Sequence, residues 1–434
     1  MSCRAIILPT ILAVFPSLAR ADDWPQWRGP RRDGVWRETG LVEKFTGRQI
    51  RILWRAPVGP GYSGPTVAGR GVYVTDRHDD GPTTERVHCF DAKTGKNLWT
   101  RAYRCRYRVS YPLGPRASVT VNDSRAYVLG TMGHFHCLDA RSGEVLWKKN
   151  LAAAYRTRRI LWGMAAAPLV YRELVILNIG GAGKACIVAL DRKTGKDVWK
   201  AFDDAASYSA PVIITQAGRD VLVCWTKNWL TGLAPDTGKI HWQVRFNLVP
   251  RGWPMNTTTP IVDRNRIFVS ACYDGAMVVK LDPNELKAQT LWQRRGVAYG
   301  KTDSLHCVNS TPVMFGGHVY GFDSRGQMRC LKVDTGDRVW EDLTVTPKGH
   351  KWGNAHIVQN GRTTWLFNEQ GEVIIARLSP GGLKQISRAK LIEPTHKMSR
   401  RKVCWAHPAF ANRCIYARND RELVCGDLSA GGAN

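Results

Sequence analysis

HCFDAKTGKNLWTR, from His88 to Arg101, places an Asp, then Thr-Gly starting three residues later, then a Trp four residues beyond the Gly. The same order returns as HCLDARSGEVLWKK (His136 to Lys149) and VALDRKTGKDVWKA (Val188 to Ala201). A pattern used once can be a site. A pattern repeated at near-constant spacing is architecture, and internal repeats decide the fold before other considerations. The terminal Trp recurs as Trp99, Trp147, Trp199, Trp242, Trp292 and Trp340, 43 to 52 residues apart. That period suits a blade of four antiparallel strands.

Each unit reads strand by strand. In the first, GPTVAG (Gly64 to Gly69), GVYVTD (Gly71 to Asp76), ERVHCFD (Glu85 to Asp91) and NLWTRAY (Asn97 to Tyr103) are short Val/Tyr-rich runs broken by turn residues. Units open at Pro65, Ser118, Pro168, Pro211, Pro260, Pro312, His356 and Pro408, which makes eight. The last ends near Glu422 to Leu428 with no Trp-bearing strand of its own. IRILWRAPVG (Ile50 to Gly59) has that strand's character, around Trp54, with no unit before it. Pairing it onto the last unit closes an all-β, eight-bladed propeller and removes the open sheet edge. The repeated motif then has a structural role. Asp91 and Thr94 hold the turn between the third and outer strands, Gly95 supplies its positive φ, and Trp99 is buried between neighbouring sheets with its indole N–H bonded across.

The remaining organisation follows. Residues 1–21 read as a secretory signal peptide: Arg4, an apolar run from Ala5 to Phe15, and a small-x-small site at Ala19 to Ala21. Residues 22–48 form an N-terminal arm, 49–428 the propeller and 429–434 a tail. The expected location is periplasmic or secreted, with no transmembrane segment after cleavage. The formal charge is +27. Outside the cytosol such a balance points to anionic envelope polymers or lipid head groups, and no nucleic acid is expected. Eleven cysteines follow the signal. Cys89, Cys137, Cys330 and Cys425 occupy equivalent places in their units, too far apart to bridge one another. Cys404 and Cys414 are the best-placed pair for a disulfide.

The pattern Asp-x-x-Thr-Gly-x-x-x-Trp resembles the tryptophan-docking motif of the pyrroloquinoline-quinone (PQQ) repeat family, which includes quinoprotein dehydrogenases and BamB-type propellers. It is carried by Asp91, Gly95 and Trp99, by Asp139, Gly143 and Trp147, and by Asp191, Gly195 and Trp199. It weakens to Gly238 with Trp242 and Gly336 with Trp340, is stretched before Trp292, and the seventh unit carries no docking Trp. DWPQWRGPRRDGV (Asp23 to Val35) also looks like the arm that precedes such propellers. The resemblance implies a non-catalytic binding or scaffold protein with no cofactor. Its enzymatic relatives imply an alternative, a quinone-dependent oxidoreductase using PQQ and Ca²⁺. This chain lacks their adjacent-cysteine pair and their long inserts, and none of its carboxylates matches their calcium or base positions.

A third alternative, a polysaccharide-binding propeller, rests on residues just before the unit openings. Tyr62, Trp162, Tyr208, Trp253, Asn256, Asp303, His306, Trp352, Asn354, Trp405 and His407 should gather at one mouth of the central channel. Such a ring could stack on and hydrogen-bond a sugar, a quinone or an extended peptide, or it could simply cap blade ends and keep water out. His306, His350, His356 and His407 raise a metal question that spacing alone leaves open, although no pair among them has a metal-binding motif. No nucleophile motif stands out, and no catalytic residue is assigned.

Overall fold

The computed structural model describes residues 22–432, apart from 80, 82, 158–159, 250–254, 298–300 and 347–349. The expected signal peptide lies outside the described residues. Eight four-stranded antiparallel sheets follow one another around a ring. Blade 1 comprises Thr66–Ala68, Gly71–His78, Thr84–Asp91 and Asn97–Arg104, innermost to outermost. The inner strands of blades 2 to 8 are Thr120–Asn122, Leu169–Tyr171, Val212–Gln216, Ile261–Asp263, Val313–Phe315, Ala355–Asn360 and Ala409–Ala411. Blade 8 is completed by Cys414–Arg418, Glu422–Asp427 and the early strand Ile52–Pro57, with Trp54 opposite Cys425 and Pro57 opposite Glu422. The ring therefore closes through residues nearly a chain length apart. A single short helix, Leu151–Ala154, is present among the described residues.

The repeated motif acts between blades. Asp91 Oδ1 accepts from the N–H groups of Lys93 and Thr94 and from the Thr94 hydroxyl, while Gly95 sits at φ 70°. A Cβ added to Gly95 would lie 2.7 Å from the ring of Trp54, which belongs to the preceding blade. In the same way Gly143 lies under Trp99, Gly195 under Trp147, and Gly238 under Trp199. Each indole N–H also crosses the gap: Trp54 donates to Ala92 O at 2.9 Å, Trp99 to Ala140 O at 3.1 Å, and Trp292 to Val333 O at 2.7 Å. The Asp-turn and the Trp of one motif thus serve two different seams. Trp242 meets no such Gly and bonds Gln216 instead. Trp340 bonds Ser379 O in the seventh blade.

Room for the ring comes from its cross-strand partner. Trp99 faces Cys89, Trp147 faces Cys137, Trp199 faces Ala189, and Trp242 faces Gly232. These residues are small, so the buried cysteines behave as compact apolar fillers. A β-bulge precedes each of these tryptophans, as between the pairs of Cys89 and Phe90. The extra residue turns outward, which explains the exposed aliphatics Leu53, Leu98, Leu146 and Val198.

Two features depart from expectation. Cys404 and Cys414 are both free, buried thiols. Cys404 N–H bonds Glu369 O in blade 7, whereas Cys414 pairs with Ala411 at the opposite end of the inner strand. The Cys404 thiol donates instead to Glu393 O. A small hairpin, His396–Met398 with Arg401–Val403, is inserted between blades 7 and 8.

The arm occupies the ring's axis. Trp24 exchanges backbone bonds with Val67 of blade 1, and Val121 of blade 2 donates to Pro25 O. Arg32 donates to Ala167 and Pro168 O in blade 3 and to Pro211 O in blade 4. Trp27 donates to the Thr259 hydroxyl of blade 5 at 2.6 Å, Arg28 to Thr311 O of blade 6, and Trp36 N–H to Gln359 O of blade 7. Trp24 and Trp36 pack on Phe410 of blade 8. All eight blades are touched by fewer than twenty residues of arm. The buried guanidiniums satisfy carbonyls that lead into the inner strands, and burial pulls Arg28 down to about 10 and Arg32 to about 9.

Candidate functional site

With the axis filled, one face of the disc retains a funnel of about 200 Å³. It is built from the connections that run from the outer strand of one blade to the inner strand of the next. All eight contribute, and Trp27 of the arm forms part of its wall. Antiparallel strand order sends all of these connections to one face, so residues scattered through the chain converge there.

Among the residues expected at the channel mouth, Tyr62, Trp162, Tyr208, Trp352, Trp405 and His407 line this funnel. The others do not. Asn256 lies between two lining residues, Met255 and Thr257, but its own amide turns inward to Thr226 O at 2.9 Å and Lys227 O at 3.0 Å. Asp303 is exposed and paired with Arg294 at 2.8 Å. His306 is buried, its Nδ1–H donating to Cys272 O while Nε2 accepts from Gly296 N–H. Asn354 is buried outside the lining. Trp253 lies outside the described residues.

Sequence reasoning missed Trp27, Tyr111, Arg116 and Ser118 as lining residues. Tyr111 and Arg116 precede the Ser118 opening much as the other aromatics precede theirs, so position was the available signal. Arg116 donates to the carbonyls of Ser110 at 3.1 Å and Tyr111 at 2.5 Å, and stands over the Tyr62 ring at 5.0 Å. Its other terminal nitrogen donates to Gly114 O and the Thr131 hydroxyl; burial lowers its pKa, while the carboxylate of Glu85, which accepts from Thr131 N–H and the Tyr107 hydroxyl, acts in the opposite sense.

The rings around the funnel are splayed. Trp162 and Tyr208 lie 5.5 Å apart at 57°, Trp352 and Trp405 6.4 Å apart at 64°, and Tyr111 meets Trp352 at 69°. Of the imidazoles, His356 Nε2–H donates to Trp405 O at 3.0 Å. His407 Nε2 accepts the Ser118 hydroxyl at 2.5 Å and Nδ1–H donates to Pro408 O. Burial pushes His356 down to about 4 and His407 to about 3. A base that weak takes almost no proton from Ser118 at neutral pH, so the pair lacks the tuning of a nucleophile and its general base.

Among the described residues no Asp or Glu lines the funnel. Ca²⁺ takes six to eight oxygen ligands, carboxylates prominent among them. Among the described residues no cluster of three or more His, Cys, Asp or Glu side chains could hold a metal. The donors here therefore do not fit the calcium-bound quinone of the enzymatic alternative.

Fold and funnel together define a closed, tryptophan-docked, eight-bladed propeller with its axis filled by its own arm. A family model described as outer membrane protein assembly factor BamB matches residues 38–113, 83–341 and 183–431, and the chain belongs to this PQQ-repeat family. It is 26% identical over 221 residues to the outer membrane protein assembly factor BamB of Yersinia pestis, covering 49% of this chain and 51% of that one. To the Burkholderia pseudomallei protein of the same name it is 23% identical over 190 residues, covering 39% and 47%. The chain thus spans about half the length of the curated relatives it matches. Among solved structures, BamB from Moraxella catarrhalis superposes with a TM-score of 0.62 at 17% identity, over 87% of this chain and 99% of that one. The quinohemoprotein alcohol dehydrogenase of Comamonas testosteroni gives 0.63 at 13%, over 94% and 80%. At such identities the structural likeness shows the fold alone.

Proposed function

We propose that this chain is an exported, non-catalytic binding or scaffold protein of the cell envelope. Family membership supports the envelope setting, and the BamB relatives are described as assembly factors for outer membrane proteins. One observation carries the non-catalytic part: among the described residues the funnel holds no carboxylate, and both its imidazoles are buried, weakly basic and committed to fixed partners. Its partners on this reading are envelope proteins or an anionic envelope polymer. No helix among the described residues is long and apolar enough to cross a membrane. The test has two arms. PQQ with Ca²⁺ is titrated into the purified protein, where a saturable one-to-one quinone absorbance would overturn the reading. In parallel, cross-linking in intact envelopes should join the protein to one reproducible partner; the absence of any adduct would count against a scaffold.

A further inference from the structure

The funnel face carries more chemistry than a scaffold needs. We propose that the funnel binds an anionic sugar unit of a polysaccharide, with its acid group on Arg116 and its ring against the splayed aromatics. This names a ligand class and a site within the envelope reading, yet it concerns the isolated protein and stands or falls without any protein partner.

Three observations converge. The first is ring geometry. A flat conjugated ligand is best held between near-parallel walls, and the contacts above meet at 56° to 69°. A puckered sugar presents apolar C–H patches in several directions and suits tilted rings. The second is the polar complement. Arg116 sets a buried positive charge beside the aromatics; its terminal nitrogens already donate to the Gly114, Ser110 and Tyr111 carbonyls, so it would hold a carboxylate or sulfate by charge rather than by a free fork, and no carboxylate is found among the described lining residues. The Asn309 amide, half-buried in the same wall, has no hydrogen-bond partner among the described residues and matches sugar hydroxyls.

The third observation is charge on the connecting segments themselves. The connections that build the funnel expose Arg106, Arg108, Arg156, Arg295, Lys397 and Lys402. Their exposed acids are already engaged: Asp303 pairs with Arg294, Glu393 with Lys390, and Asp203 accepts from Lys184 N–H. Uncompensated positive charge on the segments that build an aromatic pit suits a chain of acidic sugars, with one unit inserted and its neighbours crossing those segments.

The test is titration of trigalacturonate and of a sulfated carrageenan disaccharide, followed by tryptophan fluorescence and calorimetry. Neutral cellotriose and inorganic sulfate serve as comparisons. At least one acidic saccharide should quench fluorescence saturably and bind about tenfold or more tighter than cellotriose. Arg116→Gln should weaken it about tenfold, the scale of a lost charge attraction. Lys96→Gln, on the opposite face, should not. Because Arg116 also braces its own loop, Trp162→Leu is the second variant, and it too should weaken binding. Three results would each overturn the proposal: neither acidic saccharide binding at millimolar concentration, equal weakening by Lys96→Gln and Arg116→Gln, or inorganic sulfate binding as tightly as the saccharide.

Discussion

Replacing Gly143 by Ala separates blade-to-blade docking from ordinary turn geometry. Gly143 sits at φ 72°, and a Cβ there would stand 2.6 Å from Cδ2 and Cε3 of Trp99. Gly218 sits at φ 70° with nothing within 4 Å. Both substitutions place Ala in the left-handed region, which costs about 1 kcal/mol. Only Gly143→Ala also drives a methyl into a rigid, buried ring whose N–H is tied to Ala140 O. Overpacking of that kind adds about 1–3 kcal/mol. Equilibrium urea unfolding should therefore show a loss of about 1 kcal/mol for Gly218→Ala and about 2–4 kcal/mol for Gly143→Ala. With Trp99→Leu already present, the effect of Gly143→Ala should shrink to about that of Gly218→Ala, because the opposing ring is gone. Equal losses for the two glycines, or a Gly143 effect indifferent to Trp99, would refute the docking account.

Other consequences follow from the same structure. His356 and His407 stay neutral when folded down to about pH 4 and 3, whereas unfolded imidazoles take protons near 6.5. The unfolded state then binds more protons, so stability falls as pH drops from about 6.5 toward 4, by roughly 2–3 kcal/mol per histidine at pH 4.5; urea midpoints should show this slope, and His356→Gln with His407→Gln should flatten it. Arg32→Met leaves the buried carbonyls of Ala167, Pro168 and Pro211 without their donor and should cost about 2–5 kcal/mol, read as a lowered Tm. Trp54→Ala removes a large buried ring at the closing seam, a loss of about 3–5 kcal/mol. Amide exchange should then accelerate in Glu422–Asp427 more than in Arg219–Trp225 of blade 4; uniform acceleration would argue against a local seam.

Much of the fold is legible along the chain because its determinants are local and repeated. Asp91, Thr94 and Gly95 write a turn, Trp99 marks an outer strand, and alternating runs between turn residues give the other strands. Even the long-range closure is readable, since a lone Trp strand at Ile52–Pro57 and a unit lacking one leave a single pairing. The site is legible only in outline. Position before an opening brings Tyr62, Trp162, Tyr208, Trp352, Trp405 and His407 to one mouth. Whether a side chain then points into the funnel depends on local packing, which no spacing rule contains: Asn256 turns to bond two carbonyls, and Asp303 swings out to Arg294.

The sequence by itself determined the repeat, the number of blades and the place of ring closure, because these depend on short-range turn chemistry and on a count. Only the tertiary structure decided that Trp54, Trp99, Trp147 and Trp199 each cover the next blade's glycine, that Cys404 precedes the inner strand of blade 8 while Cys414 begins the strand after it, and that the arm fills the axis. Those outcomes depend on which groups meet after the ring has closed. Buried guanidiniums, carbonyls and indoles then take whatever partners the enclosed space offers, and partners from eight different blades leave no signature in the order of residues.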